Sequence, residues 1–102
     1  MSDDRQPTTL EAVVAAVRGA VVDRRGLYGE PADFCRRVAA RWSLTLGVPV
    51  QPWQVPLLMA DFKHERFCQN PDHADSAVDG AGYFVMLPSV VADCRRRENG
   101  EG

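Results

Sequence analysis

The sequence predicts an all-α fold, a compact bundle of about four helices, and three observations carry that prediction. Apolar residues recur at three- and four-residue spacing through most of the 102-residue chain. Helix start and stop signals divide it into segments joined by short connectors. No segment alternates apolar and polar residues as a half-buried strand would.

The first helix is announced by Thr8-Thr9-Leu10-Glu11, in which Thr8 as N-cap and Glu11 three positions on form a capping box. Leu10, Val13, Val14, Val17, Ala20 and Val21 then give it one apolar face, and the glycines from Gly26 to Gly29 place its end near Arg24. A second helix is expected to begin at Pro31, a favoured first position, and to run through Phe34, Val38, Ala39 and Trp42 to Gly47. A third opens at Pro52 and presents Val55, Leu58, Met59 and Phe62 before Asn70-Pro71 stops it. Pro56 lies inside that pattern without a helical donor, so the helix either kinks in its first turn or starts late. The fourth begins at Asp75 or Ser76, is apolar on nearly every side, and bends or breaks at Pro88 before a final turn through Val90, Val91 and Cys94. One domain over residues 8–94 is expected, with 1–7 and 95–102 as flexible termini.

Composition limits the function classes. Twelve Lys and Arg against fourteen Asp and Glu leave a formal net charge of −2, which argues against bulk nucleic-acid binding. No uninterrupted apolar run approaches the ~18 residues of a membrane span, and MSDDRQPTT is acidic where a signal peptide is basic and then apolar. A cytoplasmic location in a host cell is the expectation. Cys35, Cys68 and Cys94 are odd in number and lack a C-x-x-C pair, so free thiols are expected rather than disulfides. A lone C-x4-H from Cys68 to His73 falls short of a zinc pattern.

The most pointed stretch is PDHADSAVDGAGYFVM, residues 71–86. At about 100° per residue, Asp75, Asp79, Gly82 and Met86 form one stripe of the fourth helix with Tyr83 at its border. On the third helix, Arg66 falls within the apolar sector and Lys63 at its edge, so two acids and two bases face one inter-helix space. In a structural role, Asp75 favours the positive helix N-terminus and Asp79 pairs with Arg66. As a metal pair, Asp75 and Asp79 supply two oxygens to Mg²⁺, with Glu65 a further candidate. As an anion pocket, Lys63, Arg66 and His73 hold phosphate while the aspartates orient them or bind a sugar or base. The site residues are thus Lys63, Arg66, His73, Asp75, Asp79 and Tyr83. The salt bridge is favoured for Asp79, and direct ligand or metal contact for Asp75.

The other motifs have ordinary explanations. Tyr28, Phe34 and Trp42 can stack on a base, but aromatics at this spacing more often pack a core. His64 and His73 lack a locally placed nucleophile. Arg36-Arg37 and Arg95-Arg96-Arg97 suit solvated faces and a basic C-terminal turn. Gly26, Gly29, Gly80 and Gly82 do not compose a phosphate loop.

Taken in order, Arg25-Gly-Leu-Tyr28-Gly29-Glu-Pro31, then Phe34, Val38-Ala39, Trp42 and Leu46-Gly47, then Lys63-x-x-Arg66 and His73-x-Asp75-Ser76-x-x-Asp79-x-x-Gly82-Tyr83 resemble an uncharacterised family of small phage and prophage proteins. The resemblance spans roughly Val14 to Leu87. That family's helical pattern is similar to the MazG-like nucleotide pyrophosphohydrolases, which hold Mg²⁺ on an E-x-x-E helix and a later E-x-x-D helix. Here the later pair is D-x-x-x-D, and no clean E-x-x-E precedes it. The resemblance therefore implies binding of a nucleotide or other small phosphorylated ligand through the third and fourth helices, with Mg²⁺-dependent hydrolysis as its enzymatic version. Sequestering of a host defence's nucleotide signal and a purely structural interaction bundle are the alternatives. The nearly all-apolar fourth helix adds the expectation of a homodimer with that helix near the seam.

Overall fold

The computed structural model describes residues 6–100. The residues described are all-helical or connecting, with helices α1 Leu10–Tyr28, α2 Pro31–Leu46, α3 Gln54–Gln69, α4 Asp75–Val85 and α5 Leu87–Glu98. Only Met86 interrupts the run from α4 to α5, so the bundle consists of four helical bodies, the last one bent. The bend has the expected cause. Pro88 sits at the start of α5, where its missing N–H and its ring break the ladder of the preceding turn.

Local chemistry accounts for the other boundaries. Thr9, rather than Thr8, caps α1, its hydroxyl oxygen accepting the Ala12 N–H at 3.1 Å. The helix continues through Gly26 to Tyr28, one turn past the expected end, and stops at Gly29, whose φ of 82° suits glycine. Helix α2 starts at Pro31 and ends at Gly47 in the left-handed conformation, with φ 75°. The Ser43 hydroxyl then donates to the Ala39 carbonyl at 2.7 Å and accepts the Val50 N–H at 2.8 Å, fastening the connector to α2. Helix α3 starts late, at Gln54. Pro56 is then in the first turn, where a backbone donor has no helical partner to lose. The charged tail expected to be frayed is helical as far as Glu98; residues 1–5 and 101–102 of the expected flexible termini lie outside the described residues.

The core sits where α2, the start of α3 and the α4–α5 joint meet. Cys35, Ala39, Val55, Met86 and Val90 are buried there, with Val38, Trp42, Val50, Trp53 and Tyr83 packed around them. An ion-pair network closes the α2–α5 side, the Arg36 guanidinium bridging Asp33 of its own helix and Asp93 of α5. The bundle is elongated, 52 × 27 × 21 Å with a radius of gyration of 15.3 Å, against about 13 Å for a compact domain of this length. Helix α1 explains part of the difference, because none of its nineteen residues is buried.

By length and composition alone, the Asp75–Glu98 run meets the requirement for a membrane span, which inspection for an unbroken apolar stretch did not anticipate. Its Ser76, Val78, Gly82, Met86 and Val90 are buried against the rest of the bundle, while only 22% of the apolar window is covered.

Candidate functional site

Six residues expected at one site occupy different places. On the α3–α4 seam, the Lys63 ammonium lies 3.2 Å from an Asp79 carboxylate oxygen. Asp79 therefore pairs with Lys63, not with Arg66. The reason is the register of the helix pair: a Cβ at Gly80 would lie 3.3 Å from Lys63 Cβ, so the two helices approach closely at that level. Arg66, three residues and about 4.5 Å farther along α3, is carried past Asp79. Its guanidinium instead lies 5.9 Å from the centre of the Phe62 ring.

At the mouth of α4, His73 Nε2 lies 3.8 Å from an Asp75 carboxylate oxygen, and both side chains are exposed. Arg66 and His73 do share a shallow depression with Glu65, Gln69, Asn70 and Ser76. The Glu65 carboxylate there accepts a hydrogen bond from the Gln69 amide at 3.0 Å. As a Mg²⁺ donor set these groups fit poorly: an ammonium holds Asp79, an amide engages Glu65, and Asp75 stands beside an imidazole. Among the described residues, no three or more His, Cys, Asp or Glu side chains gather as a metal site requires.

Tyr83 belongs elsewhere. It lines a cleft of about 450 Å³ between α1, α2, α3 and α4, together with Arg24, Arg25, Tyr28, Phe34 and Trp42. Cys35, Val55 and Met86 of the core form part of the same lining. The Arg24 guanidinium lies over the Tyr83 ring, 4.3 Å from its centre, a cation–π contact that pins a charge beside an aromatic face. Tyr28 and Phe34 meet with ring centres 5.5 Å apart. Arg25 reaches Glu30 at 3.4 Å across the turn between α1 and α2, and both side chains are largely in solvent. Burial first, and the neighbouring Cys94 second, push the Cys35 thiol up to about 11, so the lining presents a neutral sulfur at ordinary pH.

Helix geometry explains the assembly of this cleft. Phe34, Cys35, Val38 and Trp42 fall on one face of α2 by three- and four-residue steps. The positive φ at Gly29 turns the chain so that Tyr28 and Phe34 meet across the α1–α2 corner. The Arg25-Gly-Leu-Tyr28-Gly29-Glu-Pro31 motif is therefore one wall of the cleft. Sequence inspection noticed its aromatic residues but assigned them to the core, and it overlooked Arg24. The available signal was the cluster of arginine, tyrosine and turn residues immediately ahead of that amphipathic face. The arrangement can enclose a flat apolar group and offer cationic partners to an anion at its edge.

No curated protein and no solved structure matches the chain. The family model described as "Domain of unknown function (DUF6378)" matches residues 10–91, most of the chain and every helix that lines the cleft, so the protein belongs to the DUF6378 family.

Proposed function

We propose that this protein binds a small ligand carrying a flat heteroaromatic group and an anionic group, the class that includes nucleotides and nucleotide-derived signals. The observation that carries this reading is the aromatic cleft with Arg24 and Arg25 in its lining. Apolar pockets of roughly 300–1,000 Å³ with a few fixed polar groups are typical of small-molecule sites. Arginine adds a planar donor array suited to phosphate and a face that stacks on rings. The cleft replaces the α3–α4 seam as the principal binding place, with Tyr83 the residue common to both expectations. Binding without turnover corresponds to a sequestering role; turnover would correspond to the hydrolase suggested by the MazG-like resemblance.

The test is titration of linear and cyclic nucleotides, with and without Mg²⁺, followed by intrinsic tryptophan fluorescence and by thermal shift, with mass spectrometry of the products. Saturable binding is expected for the wild type. Arg25→Gln should weaken the phosphorylated ligand more than its dephosphorylated nucleoside, while the exposed Arg25–Glu30 pair contributes only about 0–1 kcal/mol to stability. Equal weakening of both ligands would remove Arg25 from the anion site. A folded protein that responds to none of the panel would leave the structural-bundle role as the better explanation.

A further inference from the structure

The face of α1 turned away from the bundle has an order of its own. Val13, Val17, Ala20 and Val21 are partly covered, whereas Leu10, Val14 and Val22 are 73%, 59% and 56% exposed. These three lie along one shallow groove with Ala15, Gly19 and one charge of each sign, Glu11 and Arg18. A Cβ built at Gly19 meets nothing within 4 Å. The glycine therefore leaves a gap that none of the described residues fills.

We infer that this face pairs with the same face of a second copy, the two α1 helices running antiparallel about a two-fold axis between Val14 and Ala15. Charge selects the arrangement. A parallel pair in register would set Glu11 against Glu11 and Arg18 against Arg18. In the antiparallel pair, position i faces position 29 − i of the other copy, so Glu11 faces Arg18 twice, once on each side of the axis. The same register sets Leu10 level with Gly19 of the other copy and Val14 level with Ala15, a large residue level with a small one at both steps. Two-fold symmetry requires such self-complementarity of a single patch, and close helix packing requires ridges to meet grooves. The seam differs from that expected on sequence grounds, lying on α1 rather than α4. Its groove shares no lining residue with the cleft, so it is independent of the ligand proposal.

Sedimentation equilibrium from about 1 μM to about 1 mM, a range spanning weak to firm association, should show a reversible dimer. A strict monomer throughout overturns the inference. Glu11→Arg and Arg18→Glu should each weaken the dimer at least tenfold, and the double exchange E11R/R18E should restore it because opposite charges again face one another. These side chains are exposed, and circular dichroism of each variant confirms that the fold persists. A dimer indifferent to both single reversals uses another face and overturns the assignment. So does failure of the folded double variant to recover. In a Cys68→Ser background, Val14→Cys near the axis should cross-link with its counterpart under oxidation, whereas Leu10→Cys, far from its own copy, should not. The reverse result contradicts the antiparallel register.

Discussion

Lys63 Nζ lies 3.2 Å from Asp79 Oδ2 across the α3–α4 seam, with the lysine side chain only 17% exposed and the aspartate 31% exposed. That degree of burial places the pair between exposed ion pairs, typically about 0–1 kcal/mol, and fully buried ones, whose disruption costs about 3–5. Asp79→Asn should therefore lower stability by on the order of 1–2 kcal/mol, read from denaturant midpoints. The same change in a Lys63→Met background should cost less. Arg66→Met should leave the Asp79 effect unchanged, because Arg66 rests on Phe62. A larger coupling of Asp79 to Arg66 than to Lys63 would reverse the assignment.

Two glycines of α4 respond in opposite senses to an added methyl group. At Gly82 the new Cβ would lie 3.7 Å from a Val21 methyl carbon, an ordinary contact, and alanine adds up to about 1 kcal/mol of helix propensity. At Gly80 it would lie 3.3 Å from Lys63 Cβ, a root atom that cannot move without its helix. Gly82→Ala should hold or raise the melting temperature. Gly80→Ala should be less stable than the wild type by on the order of 1 kcal/mol because α3 and α4 must part. The larger Gly82→Leu should overpack the α1–α4 contact and cost roughly 1–3 kcal/mol. Equal melting for the two alanine variants would show that α3 and α4 have room at Lys63.

Acid sensitivity should centre on Asp93. Its burial favours the neutral carboxyl, but a hydrogen bond from Arg97 and the charges of Arg36, Arg97 and Arg96 together hold it below its ordinary value of 3.8. With the folded value lowered, the contribution is present above the unfolded value and is lost as pH falls through the folded one. Stability should therefore drop below about pH 4, and Asp93→Asn should be less stable at neutral pH and show a flatter acid limb. An unchanged acid limb in that variant would assign the sensitivity to other carboxylates.

The fold was largely legible because its punctuation is local. Pro31, Gly47, Pro56 and Pro88 act through their own backbone chemistry, so α2, the late start of α3 and the α4–α5 bend could be read directly. The Thr8 or Thr9 choice was less determinate, since either hydroxyl can cap the same segment. The site was harder because inter-helix register is not written in either helix alone. Wheel geometry put Lys63 and Arg66 on neighbouring lines, and only the close approach at Gly80 decides which reaches Asp79. The cleft was harder still: Arg24, Phe34, Val55 and Tyr83 come from four helices, and each alone has the pattern of a core or surface residue.

Cys35 offers a probe of the cleft that requires no ligand. It lines the cavity yet is only 2% exposed, and its thiol is pushed up to about 11 by burial and then by Cys94. Because the thiolate is the nucleophile, Cys35 should remain unmodified by a thiol reagent at pH 8 while exposed Cys68 reacts. Mass spectrometry after brief labelling distinguishes the two sites. The same shift predicts loss of stability at high pH. The folded protein retains the neutral thiol, so between the ordinary value of 9.0 and about 11 the unfolded chain gains by ionising while the folded chain does not. Cys35→Ala should remove that alkaline limb, although the lost packing lowers its stability at neutral pH. Rapid labelling of Cys35 in the folded protein, or an alkaline limb unchanged by the substitution, would mean that this wall of the cleft opens to water.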